Sequence, residues 1–578
     1  LRLCSRSRRS PASFGSILYL HVGGNSNAFN MTIEKKESAK NETPNKGPLY
    51  YYSSLAYVLV FAVIGIPLWW KTTAVYRVSL PYSEIAELST QEIQQSINVN
   101  ILLTDASTSN ETFYALIATQ CGLQDSEYPG ENKFFYNWIV KGATRAEISA
   151  LLEAKPGQDL DAVIGHIFPQ TSHVTLVILP KGTSKQLQTG NRDKNIFLEH
   201  SSDAEELAKK VVRRVRNDAV KEHVLKGVYI SPSSQGRVMP EKERMRPLSS
   251  TPEFDVTFSL VIPEPHVLDV SWNIEKALKA YMDPFLDKLA LLVKVNVKSQ
   301  VLFLTSLDVE SHFDKKKQIH IVTSDKLPLI INPIEGHIGF QASVNPVVNF
   351  VIYITPQALH PLHIFDEEGK QLESNAFLSP KWGGFLFYNI EEFPKNGTMP
   401  YPIDVDMHRV FEVFLAQLRL LLGLPDATED ELAAPGVTCT NLEVDFLLRR
   451  RTQDYLSVSI SSLHSLSQLL STISNIVIRD EIGELIYSSV DAAKKSLADL
   501  KRGDLLGAFR GAESAFLKSE KAFFDSSLLA LLYFPDDQKY AIYIPLFLPV
   551  SIPVLLSLRH LFSYYYKRRA EKKTVKAD

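Results

Sequence analysis

Two long uncharged apolar runs, one near each end of the chain, enclose a segment in which helical and strand periods alternate. From Tyr50 to Trp70 there are 21 residues without a charge, the length a helix needs to cross a bilayer core. Tyr50, Tyr51 and Tyr52 stand at one end and Trp69 and Trp70 at the other, as aromatic interface belts do. The run passes into Lys71 without a small-residue cleavage site, which predicts an uncleaved anchor and not a signal peptide. A second run, Ala541 to about Leu558, predicts a second spanning helix, followed by Arg559 and by Tyr564, Tyr565 and Tyr566. Within it Pro545, Pro549 and Pro553 recur every four residues and so share one helical face. Each removes a backbone hydrogen bond, and neighbouring helices can restore the balance. These three prolines are candidate contacts with partner helices.

The enclosed segment reads as two α/β lobes and a helical region. Asn98–Leu103 and the continuous apolar run Val174–Leu179 predict strands, the latter covered on both faces. Helical sequence surrounds Thr112–Gln120 and Arg145–Ala154, and Leu207, Val211, Val212 and Val215 place one face of a helix over Asp203–Val220. Ser231–Glu253, rich in Pro, Ser and charge, is a linker. Phe254, Val256, Phe258, Leu260 and Ile262 then alternate, predicting a strand with one buried face. Trp272–Leu289 is helical, Leu291–Val297, Val347–Ile354 and Phe385–Ile390 are strands, and Asp406–Leu422 is an amphipathic helix. From Leu456 the period stays helical, with Gly503 as a C-terminal cap and Asp504 as the next N-cap. The predicted fold class is therefore α/β lobes plus a C-terminal helical region, flanked by two transmembrane helices. The predicted boundaries are a tail over 1–49, a span over 50–70, lobes over 71–230 and 254–440 joined by a linker over 231–253, helices over 441–539, a second span over 540–566 and a basic tail over 567–578.

Charge adds an orientation. Lys35, Lys36, Lys40 and Lys46 precede the first span, and Lys567, Arg568, Arg569, Lys572, Lys573 and Lys576 follow the second. Excess Lys and Arg mark the cytosolic side, so both tails are expected in the cytosol, with about 470 residues between the spans held in a lumen. Two sequons there, at Asn110 and Asn396, are candidate N-glycosylation sites. The net charge of −3 over 578 residues gives no overall attraction to nucleic acid, which is not an expected partner. Of three cysteines, Cys121 and Cys439 lie between the runs and allow at most one bridge. Residues 1–30, with Arg2, Arg6, Arg8 and Arg9 and no acid before Met31, fit a transit peptide and also fit upstream sequence ahead of a start at Met31. The polar tail that opens at Met31 favours the second reading.

A search for catalytic patterns finds no P-loop, dinucleotide fingerprint, zincin helix or nucleophile elbow. Thr119-Gln-Cys-Gly122 brushes against a caspase-type motif, but no histidine stands between His21 and His166 to serve as its base. Asp404-Val-Asp406 matches the paired carboxylates with which some sugar transferases hold a divalent metal, while Asp406 can equally cap the helix that follows. His360 and His363 flank Pro361, which opposes the helix that would align them, and no third ligand is evident. No catalytic residue, metal site or cofactor is expected.

Several stretches resemble a known family. Gly65-Ile-Pro-Leu-Trp-Trp-Lys-Thr-Thr73, with Tyr76-Arg-Val-Ser-Leu-Pro-Tyr-Ser83, is similar to the N-terminal signature of the PIG-S family, the class S subunits of GPI transamidase. Ser379-Pro-Lys-Trp-Gly-Gly384 and Tyr533-Phe-Pro-Asp-Asp-Gln-Lys-Tyr-Ala-Ile-Tyr-Ile-Pro-Leu-Phe547 resemble further motifs of that family, in the expected order. The resemblance implies a non-catalytic subunit of an endoplasmic-reticulum membrane complex, in contact with membrane lipid and with other subunits. It implies that the cysteine-protease chemistry joining GPI to a precursor's new C-terminus belongs to a separate caspase-like subunit. No catalytic residue carries over. Trp382 is expected to pack, and Gly383 and Gly384 to turn the chain. The alternatives are a luminal glycosyltransferase using Asp404 and Asp406, and a trafficking or tethering receptor unrelated to GPI.

Overall fold

The structure, a computed structural model, describes residues 48–73, 76–104, 109–124, 133–154, 158–169, 174–182, 194–226, 248, 251–305, 307, 311–338, 343, 345–380, 382–391, 399–424, 439–473, 476–530 and 536–574. The chain divides into two compact units, one formed by Leu1–Ala74 with Tyr540–Asp578 and the other by Val75–Lys539. Residues 231–247 of the predicted linker 231–253, the tail before residue 48 and the sequon at Asn396 lie outside the described residues.

The first unit corrects the expected fold class. Among the described residues no helix is long and apolar enough to cross a membrane, so the two flanking transmembrane helices are not part of this fold. The N-terminal run is helical from Pro48 to Thr73 but irregular: α-helical Pro48–Val60 and Ile66–Thr73 flank a π-helical turn, Phe61–Gly65, and neither α-helical stretch alone reaches roughly 20 residues. The C-terminal helix Asp536–Thr574 has 39 residues, but its apolar stretch is interrupted by Pro545, Pro549 and Pro553 and closed by Arg559.

The second unit contains two main sheets. In the first, β1 (Gln94–Leu103), β2 (Lys133–Gly142), β3 (Val174–Leu179) and β4 (Asn195–Glu199) lie in the order β2-β1-β3-β4, all parallel. Every residue of β3 is buried, as a continuous apolar run in a parallel sheet requires. Helices α1 (Tyr82–Thr90), α2 (Asn110–Gln124) and α3 (Ala204–Arg213) belong to this lobe. Asp203 caps α3 by accepting from the Glu205 N–H, and Leu207, Ala208, Val211 and Val212 form its buried stripe.

The second sheet is built from β5 (Glu253–Ile262), β7 (Lys294–Phe303), β10 (Val347–Ile354), β12 (Ala376–Ser379) and β13 (Gly383–Tyr388). Its order is β12-β13-β10-β5-β7, with only β12 antiparallel. Short strands β6 (Leu268–Ser271) and β14 (Tyr401–Asp404) pair with each other, and β8 (His312–Asp314), β9 (Ile319–Thr323) and β11 (Leu362–Phe365) form a third sheet. The alternation in β5 predicts one buried face, yet both faces are covered. Phe254, Val256, Phe258, Leu260 and Ile262 enter the main core, where Phe258 stacks on Phe350 and meets Phe411 and Phe414. Asp255 and Ser259 are buried on the opposite side, and Val261 there joins a second core with the helix Leu327–His337 and β11. The polar positions mislead because they are internally bonded: Asp255 accepts from Lys298 and Ser343 at 2.7 and 2.8 Å and from Asn296 at 3.0 Å. The Lys298 ammonium, with the Asn296 amide, holds the Asp255 carboxyl well below the usual carboxylate range.

The remaining helices used below are α4 (Asp283–Leu289), α5 (Met407–Leu422), α6 (Asn441–Thr472), α7 (Asp480–Arg502) and α8 (Leu505–Phe523). At 32 residues, α6 runs about 48 Å. It starts on a capping box in which Thr440 and Glu443 bond each other's backbone N–H. Its first half carries Glu443, Asp445, Arg449, Arg451, Thr452 and Gln453, all buried. Arg419 of α5 bonds Glu443, and Arg450 donates to the Gly423 carbonyl at 2.7 Å. Asp445 pairs with Lys194 at 2.8 Å, and Arg449 reaches Gln95 of β1 at 3.4 Å. Further along, Tyr455 stacks on Phe516 of α8 and Ser462 donates to Glu520. One main core accordingly runs through both lobes and the helical region.

Small residues seat α7 on α8. Ser489 and Ser496 of α7 donate to the carbonyls of Ala515 and Ala508, at 2.8 and 2.7 Å. Gly503 (φ +83°) ends α7, and Asp504 caps α8 by accepting from the Gly507 N–H, as the sequence predicts.

The segment Tyr76–Val78 then closes the unit. Val78 N–H donates to Ile478 and Ile478 N–H to Tyr76, Tyr76 Oη donates to Asp480 at 2.7 Å, and Arg77 donates to the Leu470 and Ile473 carbonyls at the end of α6. A Cβ on Gly483 would lie 2.3 Å from Val78 Cγ1, so glycine is required for this docking. Gly483→Ala should destabilise the protein by about 1–3 kcal/mol. Val78→Ala in the same chain should recover part of that loss, as read by thermal or denaturant unfolding of both variants.

Candidate functional site

Each chemically suggestive group from the sequence has a definite place. Cys121 is half-buried on α2, against the main core. Cys439 is buried beside the start of α6 and carries a free thiol, so the bridge between Cys121 and Cys439 that the sequence allows is not formed. Burial and the neighbouring Glu443 carboxylate push the Cys439 thiol up to about 12. Burial opposes ionisation of Glu443 itself, but Arg419 wins and holds that carboxyl below its usual range. A nucleophilic cysteine needs the opposite setting, in which cations favour the thiolate.

The paired carboxylates are both occupied by protein donors. Asp404, at the end of β14, accepts from Ser271 Oγ at 2.9 Å. Asp406 is the N-cap of α5 and accepts from the His408 and Arg409 N–H groups at 3.0 and 3.4 Å. Among the described residues no three His, Cys, Asp or Glu side chains gather to hold a metal ion. His360 Nε2 bonds the Ile390 carbonyl at 2.7 Å, and His363 Nδ1 faces Gln371 Nε2 at 3.0 Å. His363 opens on a cavity of about 200 Å³ lined also by Gln371, Glu373, Asn375, Tyr388 and Arg409. Burial, and next the His360 and Arg409 charges, keep its imidazole below the ordinary range. The cavity can take a small polar group, and it collects β11, β13 and α5 in one place. Sequence spacing gave no sign of Tyr388 or Arg409, because the contributing segments are separate in the chain.

The tryptophan motif is structural. Trp382 packs against the second core. Gly383 and Gly384 open β13 and do not form the expected turn. Gly383 has φ +138°, and a Cβ there would lie 1.8 Å from the Asn349 carbonyl oxygen of β10. A Cβ on Gly384 would lie 1.9 Å from Gln417 Oε1 of α5. Gly383 therefore needs glycine for close strand approach, whereas Gly384 is bordered only by the side chains of Gln417 and Phe350.

In the first unit Pro545, Pro549 and Pro553 are all exposed, on one face of the C-terminal helix. Without their N–H groups, the carbonyls of Ala541, Pro545 and Pro549 lack the usual helical donor. A groove of about 500 Å³ in the same unit is lined by Tyr52, Leu55, Leu558, Phe562, Tyr565 and Arg568. Asn110, the first residue of α2, is exposed and leaves its sequon open.

Comparison with known proteins gives these features a context. A family model described as PIG-S, phosphatidylinositol-glycan biosynthesis class S protein, matches residues 56–568. The chain is 36% identical over 543 residues to the GPI-anchor transamidase component PIGS of Homo sapiens, covering 91% of this chain and 97% of that protein. It is 35% identical over 545 residues to the protein of the same name from Bos taurus, with the same coverage. A GPI transamidase component PIG-S homolog of Schizosaccharomyces pombe is 25% identical over 529 residues, covering 91% of this chain and 86% of that one. The match runs from the first helical stretch through both sheets and α6 to the C-terminal helix, and the chain belongs to the PIG-S family.

Proposed function

We propose that this chain is a non-catalytic component of GPI transamidase at the endoplasmic reticulum, working beside other subunits that include a caspase-like catalytic one. The observation that carries this reading is the similarity, along nine-tenths of the chain, to proteins named as transamidase components. The chemistry of its own side chains supports the non-catalytic part. The Cys439 thiol is held protonated, and Asp404 and Asp406 serve Ser271 and the α5 backbone.

The central unit fits a luminal location, for which the exposed sequon at Asn110 is the support. Apolar side chains exposed along the first unit, such as Leu55, Val63, Ile64, Leu68, Ile544 and Leu555, fit contact with lipid. The two α/β lobes and α6 then act as a scaffold, a rigid unit whose buried polar groups join its own lobes and helices.

Cells lacking the chain should lose GPI-anchored proteins from their surface, measured by flow cytometry. A chain with Cys121→Ser and Cys439→Ala should restore them. Normal display in depleted cells would remove the transamidase reading, and failed rescue by a folded double variant would remove the non-catalytic one. Asn110→Gln should eliminate one glycan, seen as a mobility shift that glycosidase treatment abolishes. No shift would count against the luminal location.

Cys439 also predicts a pH dependence. The unfolded thiol ionises near 9 and the folded one near 12, so its contribution to stability is complete below pH 9 and is lost as pH rises from 9 toward 12. Cys439→Ala should flatten that part of the stability curve in denaturant titrations.

A further inference from the structure

The outer edge of β7 has unused pairing capacity. β7 is the last strand of its sheet and has ten residues. Lys294 N–H donates to the Pro252 carbonyl and Leu304 N–H to that of Ile262, which fixes the phase of the ladder with β5. In a parallel pair, alternate residues direct their main-chain groups to one neighbour. The even-numbered residues of β7 therefore serve β5, and Val295, Val297, Ser299, Val301 and Phe303 turn their N–H and C=O groups outward. Among the described residues no strand pairs with this edge.

Folded proteins usually blunt such an edge with charge, proline or a bulge. The two lysines of β7 lie in its first half and pair with β5 carboxylates, Lys294 with Glu253 at 2.9 Å and Lys298 with Asp255 at 2.7 Å. From Ser299 to Leu304 the strand has no charge. Val301, Phe303 and Leu304 are exposed there, Leu304 by 73%.

We propose that the outer edge of β7 is a docking site for an extended segment of another subunit, which joins the sheet as a sixth strand. Main-chain hydrogen bonds along Val295–Phe303 supply the attachment, and Val301 and Phe303 supply apolar side-chain contacts. An uncharged segment with alternating apolar residues fits this edge. The proposal rests on the chain being a component of a multi-subunit complex.

Hydrogen exchange on the full chain alone, and on the chain recovered in mild detergent with its other subunits, tests it. Assembly should slow exchange at the outward amides 295, 297, 299, 301 and 303 by tenfold or more and leave the even-numbered amides unchanged. Ser299→Pro removes the central outward N–H without touching the β5 ladder. It should abolish the added protection while the melting temperature of the chain alone stays within a few degrees. If that variant folds poorly, Val301→Lys, at an exposed position, should abolish the protection instead. Equal exchange in the free and assembled chain would overturn the proposal. So would slow exchange already present in the free chain, which would mean that its own segment or a second copy fills the edge. Recovery of the complex with β7 unprotected would sink this inference alone, whereas recovery of the chain without other subunits would remove the transamidase reading with it.

Discussion

The fold of the central unit depends on one helix that buries charge. The first half of α6 places Glu443, Asp445 and Arg449 out of water, which is unfavourable unless each finds a partner. Those partners come from both lobes. Arg419 of α5 answers Glu443, Lys194 beside β4 answers Asp445, and Gln95 of β1 answers Arg449. Arg450 adds the carbonyl that ends α5. Removing one member of such a buried pair costs about 3–5 kcal/mol, whereas an apolar core alone would tolerate sliding between layers. The ion pairs thus fix how the sheets and helices sit around α6, and the apolar stripe farther along that helix receives α7 and α8.

That same feature explains where the sequence could and could not be read. The strand Val174–Leu179, the capped helix after Asp406 and the junction Gly503-Asp504 are legible because each obeys a local rule. The first half of α6 is legible only in part: the helical region is predicted from residue 441, where the helix begins, but a clear apolar stripe starts only at Leu456, and the burial of Arg449 and Arg451 has no local signal. β5 shows the same inversion, since Asp255 and Ser259 look like an exposed face and are buried with partners. The two terminal runs mislead differently. An uncharged stretch of sufficient length predicts a regular spanning helix, but a π-helical turn lies within the first run and three prolines and Arg559 lie in the second, and among the described residues no helix is long and apolar enough to cross a membrane.

Candidate chemistry was legible mainly where residue type alone decides it. Asp406 had two readings, and its hydrogen bonds to the α5 backbone select the cap. The cavity at His363 combines residues from three segments and depends wholly on tertiary structure. The motif residues Tyr76–Val78, Gly383 and Gly384 gave a family resemblance before they had a physical role. The structure supplies that role as close approach: chain against the α6–α7 junction, strand against strand, and strand against α5. Such contacts constrain sequence as a reaction would constrain an active site.

The pairing of Tyr76–Val78 with the segment before α7 joins residues about 400 positions apart. During synthesis the early segment emerges long before its partner exists. At about 5–20 residues per second, it waits on the order of 20–80 s. Through that interval α1 and the first sheet also lack α6, whose residues supply Arg449 to β1 and Asp445 to Lys194. The first lobe therefore remains incomplete until most of the chain has been made. Its exposed strands are then targets for chaperones, and any truncation before Asp480 leaves the beginning of the unit without its mate.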